Sequence, residues 1–69
     1  MNYRITSLQN KTIENAMVEL TEKGFTLTEI TKNIYVFEKS MKNEVLVIEV
    51  TKYNYSNTII DAIAYMYRP

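Results

Sequence analysis

The sequence predicts a small α+β domain of order α-β-β-β-α, a three-stranded antiparallel sheet with two helices on one face. Three observations carry this expectation. Apolar residues recur with helical spacing near the N-terminus. The middle of the chain then switches to a period of two in β-branched and aromatic residues, and a second stripe of helical spacing follows near the C-terminus.

The first helix is expected over about 10–23. In "NKTIENAMVELTEKG", Ile13, Ala16, Met17 and Leu20 fall at i, i+3, i+4 and i+7, with Glu14, Asn15, Glu19, Glu22 and Lys23 mostly elsewhere around the wheel. Asn10 or Thr12 can cap its start, and Gly24 can take the left-handed conformation that ends it. Residues 3–7, "YRITS", fit either a short strand or an extended lead-in.

Three strands are expected at about 25–30, 34–39 and 44–52, joined by "TKN" and "SMKN", connections short enough for antiparallel hairpins. A second loop of "SMKN" sets Lys39 opposite Glu44, Phe37 opposite Leu46 and Tyr35 opposite Ile48. A three-residue first loop with Asn33 in the left-handed position sets Leu27 opposite Phe37 and Glu29 opposite Tyr35. These registers sort the sheet into two faces. One carries Phe25, Leu27, Tyr35, Phe37, Leu46, Ile48 and Val50, large side chains suited to packing under helices. The other carries Ile30, Ile34, Val36, Val45 and Val47, with Glu38 and Glu49 among them.

The last segment, about 57–67, reads as the second helix. Ile59, Ile60, Ile63, Met66 and Tyr67 share a helical stripe, Ser56, Asn57 or Thr58 can cap it, and Asp61 suits the dipole of its first turn. With both helices on the large-residue face, the Val/Ile face is left uncovered, a contiguous apolar patch of a kind monomers rarely expose without a binding use.

At 69 residues the chain is read as one domain, 1–69, near the lower limit for a single unaided core. Its 46% apolar and 23% charged residues belong to the ordinary globular class. Eight Lys and Arg balance eight Asp and Glu, so no global field favours nucleic acid or an anionic membrane. Cysteine and histidine are both absent, which removes disulfides, thiolate chemistry and the side chain most used for acid–base work and metal binding. The sole glycine excludes a phosphate-cradling loop. No enzyme activity, cofactor or metal is expected. The N-terminus has no apolar signal core and no run is long enough to span a bilayer, so a cytoplasmic protein without membrane contact is expected. Frequent Asn, Lys, Ile and Tyr, all with AT-rich codons, suggest a low-GC bacterium or one of its phages or plasmids as the source.

The order α-β-β-β-α and the "KGF" junction at residues 23–25 resemble the double-stranded RNA-binding domain and the small toxins of the HicA type. That resemblance implies nucleic-acid binding, for which Lys32, Lys39, Lys42 and Lys52 are the available cations if the fold gathers them on one edge; zero net charge weighs against it. The residues themselves favour a protein-binding module, homodimeric and regulating or inhibiting another macromolecule, such as a phage product acting on a host enzyme or an antiviral defence system. Its interface is expected on the sheet face of Ile30, Ile34, Val36, Val45, Val47, Glu38 and Glu49. Tyr53, Tyr55, Tyr65 and Tyr67 with Arg68 have the composition of interface anchors and form a second candidate set. A structural subunit of a larger assembly is the remaining alternative.

Overall fold

The computed structural model describes residues 2–69, so residue 1 of the expected domain lies outside the described residues. Five strands form one antiparallel sheet: β1 (Tyr3–Arg4), β2 (Thr26–Thr31), β3 (Ile34–Ser40), β4 (Val45–Lys52) and β5 (Ile59–Tyr67), in the order β1-β5-β4-β3-β2. One helix, α1 (Ile13–Glu22), and a 3-10 turn at Thr6–Leu8 lie in the connection between β1 and β2. The expected three-stranded sheet with two helices is therefore corrected to a mostly-sheet α+β fold with a single helix. With the second helix goes the topology that suggested double-stranded RNA-binding domains and HicA-type toxins.

Within the expected second helix, about 57–67, residues Ile59–Tyr67 are strand instead, for a reason visible in β4. That strand is apolar on both faces and central, so both of its edges need hydrogen-bonding partners that water cannot supply. β3 takes one edge and β5 the other. Within β5 the side chains alternate: Ala62, Ala64 and Met66 stand beside Val50, Ile48 and Leu46, while Asp61, Ile63, Tyr65 and Tyr67 stand beside Thr51, Glu49, Val47 and Val45. The supposed helical stripe is thereby divided between two faces. Ile60 sits at a register break between Thr51 and Lys52 and is exposed. Three isoleucines and two tyrosines favour this extended state. Of residues 3–7, Tyr3 and Arg4 form a short strand paired with Ala64 and Ile63, Ile5 continues the contact by donating its N–H to the Ala62 carbonyl at 2.7 Å, and Thr6 and Ser7 enter the 3-10 turn instead of remaining extended.

α1 is fixed at both ends. The Thr12 side chain accepts from the Asn15 N–H at 3.1 Å, and the Ile13 N–H reaches the Asn57 carbonyl at 2.8 Å, tying the helix start to the β4–β5 loop. Gly24, at φ +95°, ends it, and the Phe25 N–H returns to the Leu20 carbonyl at 2.9 Å. Its inner residues Ile13, Ala16 and Leu20 join Leu8, Phe37, Ile48, Val50, Ile59 and Ala62 in one core. Phe37, Val50 and Ile59 are the largest fully buried side chains; burying one of this size contributes roughly 1.5–3 kcal/mol.

Two registers differ from expectation, with unequal consequences. Between β3 and β4, Phe37 faces Ile48, Tyr35 faces Val50 and Lys39 faces Leu46, because the loop runs from Met41 to Glu44 and is closed by the Met41 N–H on the Glu44 carbonyl at 2.7 Å. The expected Lys39–Glu44 pair is absent, and the Lys39 ammonium donates instead to the Lys23 carbonyl at 2.8 Å. The slip is two residues, so every side chain keeps its face. Between β2 and β3 the turn is two residues, and Lys32 at φ 51°, rather than Asn33, takes the left-handed backbone. A break at Thr28 compensates: Leu27 still faces Phe37, but Glu29 now faces Val36 and Ile30 faces Tyr35. A one-residue shift exchanges faces, so Ile30 and Glu29 trade places.

Candidate protein-contact face

α1 and the 3-10 turn lie on the face of Phe37, Ile48 and Val50, and no other helix is present among the described residues to cover the opposite face. That outer face is built, strand by strand, from Glu29, from Ile34, Val36 and Glu38, from Val45, Val47 and Glu49, from Asp61, Ile63, Tyr65 and Tyr67, and from Arg4. Of the seven residues expected there, six are present. Ile30 is the correction: the Thr28 irregularity turns it to the helix side of the edge strand, where it is exposed.

Val45 and Val47 occupy the expected face but are not free surface. Val47 lies between Glu38 and Tyr65 in the register and is 2% exposed. The strand that sequence periodicity reads as a helix supplies this cover, so the apolar patch is smaller and more aromatic than expected. Ile34 and Tyr67 remain open at 39% and 44% exposure, with Val36, Ile63 and Tyr65 half-buried beside them.

The polar groups of the face are organised around Tyr65. Its hydroxyl donates to the Glu49 carboxylate at 2.7 Å. That hydrogen bond, partial burial, and the negative charges of Glu49 and Glu38 push the phenol up to about 12. Tyr65 is therefore a protonated, oriented side chain across the neutral range. At the rim, Arg4 pairs with Asp61 at 3.3 Å, both well exposed, an arrangement worth little to stability in water.

The tyrosine-rich set divides. Tyr65 and Tyr67 join the outer face, merging two groups that the sequence presents separately. Tyr53 and Tyr55 belong to the β4–β5 loop at the far end of the sheet, where their rings meet edge-on at 5.5 Å and Tyr55 is 85% exposed. Arg68 follows the end of β5 and pairs with Glu44 at 3.9 Å. The lysines considered for nucleic acid also divide. Lys32, in the β2–β3 turn, and Lys52 lie at one end of β3, where the Lys52 N–H meets the Asn33 carbonyl. Lys39 and Lys42 lie at the other end, roughly 20 Å away along the strand.

Sequence reading missed Asp61, Ile63 and Arg4 on the outer face; alternation in "DAIAYMY" carries the signal for the first two. It also missed an open apolar groove of about 200 Å³ on the helix side, lined by Tyr3, Phe25, Leu46, Ile48, Ala64 and Met66 among others. No helix among the described residues is long and apolar enough to cross a membrane. The chain matches no family model, no curated protein and no solved structure.

Proposed function

We propose that this protein is a small non-enzymatic protein-binding module whose outer sheet face occupies, and thereby regulates or blocks, a surface of another macromolecule. The observation that carries the reading is a sheet face without a covering helix on which Ile34 and Tyr67 are open and Tyr65 is held in place by Glu49. Tyrosine fits such a role because it offers a large contact area at a low cost in side-chain entropy. A half-buried phenol already fixed by a carboxylate gives up little further freedom on binding.

The partner is a different protein rather than a second copy meeting this face with its own. Pairing the face with itself would oppose Glu29, Glu38, Glu49 and Asp61 to the same four carboxylates, with Arg4 as the only cation placed there by the register among the described residues. Like charges set together at an interface cost several kcal/mol. We place its action in the cytoplasm, and the AT-rich residue usage directs the search for the partner to low-GC bacterial hosts, consistent with a phage or mobile-element protein.

Affinity capture from such a lysate tests the reading when three baits are compared. Wild type and Val18→Lys, a change on the exposed side of α1, are expected to retain the same protein, identified by mass spectrometry and rebound in purified form. Ile34→Lys combined with Tyr67→Lys is expected to lose it. Equal retention by all three baits would remove the outer face from the function.

A further inference from the structure

The zero net charge of the chain conceals a division. Register places four carboxylates on the outer face, Glu29, Glu38, Glu49 and Asp61, against one guanidinium, Arg4. One cation against four acids leaves that face at −3, and the remaining seven cations against four acids leave the rest of the chain at +3. Both signs are abundant in the sequence, so their separation is a product of strand pairing. Lys39 and Lys52 are turned to the helix side, opposite Leu46 and Ile59, and each ammonium is engaged by backbone carbonyls there.

The same face also keeps apolar surface open, at Ile34 and Tyr67, and Glu38 and Glu49 stand within its half-buried interior rather than on a solvated rim. Carboxylates among apolar side chains are only partly hydrated, so an opposite charge arriving there gains more than it would in open water. An anionic partner, nucleic acid included, is repelled by this arrangement.

Resting on the reading of this face as a protein-contact surface, we propose that its partner presents a cationic surface, lysine or arginine side chains spaced among apolar ones, with Glu38 and Glu49, diagonal to each other across β3 and β4, receiving the cations. Val36 and Tyr65 take the intervening apolar groups. The spacing suits an extended segment in which every second side chain meets the face and cationic and apolar residues take turns at positions i, i+2 and i+4.

Two short synthetic peptides of equal length test this on the full chain, one repeating Lys-Ser-Leu-Ser, so that lysine and leucine share one face of the extended segment, and one repeating Glu-Ser-Leu-Ser, each titrated while backbone amide resonances are followed. The lysine peptide is expected to move the amides of Val36, Glu38, Val47, Glu49 and Tyr65, to weaken as salt is raised, and to lose about tenfold in affinity against Glu38→Gln with Glu49→Gln. Glutamine still accepts the Tyr65 hydroxyl, so that variant keeps its fold. The glutamate peptide is expected to leave the spectrum unchanged. Equal binding of both peptides at this face, or full affinity in the double variant, would overturn the cationic assignment while leaving the contact face standing. Shifts confined to other residues, or none with either peptide, would overturn both. Concentration-dependent shifts at the same amides without peptide would give the face to a second copy of the chain, and that too would overturn the assignment.

Discussion

Tyr65 shows how one residue changes meaning once its neighbours are known. Its hydroxyl on Glu49, its partial burial and the nearby carboxylates raise its pKa from 10.0 to about 12. An acid whose pKa is higher in the folded than in the unfolded state holds its proton more tightly when folded. Its contribution to stability is therefore complete below pH 10 and is lost as the pH climbs from 10 through 12. In an ultraviolet titration of the six tyrosines, one is expected to ionise last, near pH 12. Glu49→Gln should bring that midpoint down towards the ordinary phenol value, and Tyr65→Phe should abolish the late step. If the late step survives in Tyr65→Phe, another tyrosine carries it and the Glu49 contact is not its cause.

At the scale of the element, β5 is decided by what lies on either side of it. Ala62 is 1% exposed in the core that α1 shares, and Ala64 follows it on the same face, half-buried against that core. Two small residues there suit the close approach of the 3-10 turn, which packs against β5. Ala62→Leu is expected to overpack this space and lower stability by about 1–3 kcal/mol in urea unfolding. In a solvent-exposed helix the same substitution would cost only a few tenths of a kcal/mol. A neutral result would therefore contradict the placement of β5. The hairpin β2–β3 shows the complementary sensitivity, since a single extra residue at Thr28 exchanges Glu29 for Ile30 on the outer face. That exchange adds a carboxylate where the alternation of the strand predicts an isoleucine.

For the whole molecule, the consequence is a segregation of charge with no net charge behind it. The outer face carries a surplus of three negative charges, and the tyrosines of β5 cover Val45 and Val47. Light scattering is expected to give a monomer at moderate salt. A salt-resistant dimer that Val36→Lys dissociates would restore the homodimer expected from sequence. Total stability for a chain of this length is roughly 3–10 kcal/mol, so binding of a partner to the folded state alone would raise it measurably by mass action.

The elements governed by local periodicity were legible. α1 with its Gly24 stop, the three strands between residues 26 and 52, and the assignment of Phe37, Ile48 and Val50 to the core all follow from spacing, while Thr12 is chosen over Asn10 as the cap only in the structure. The face of each β3 and β4 residue was legible too, because a two-residue slip preserves it. What only the tertiary structure decided is the state of residues 59–67, where isoleucine and tyrosine satisfy a helical stripe and a strand alternation equally well. The choice falls to strand because the free edge of β4 must be hydrogen-bonded, a demand made by a distant segment and absent from the local sequence. The tyrosine cover of the outer face follows from that one pairing, while its surplus of carboxylates comes from Glu38 and Glu49 on β3 and β4 and from the Thr28 break that brings Glu29 to the same face.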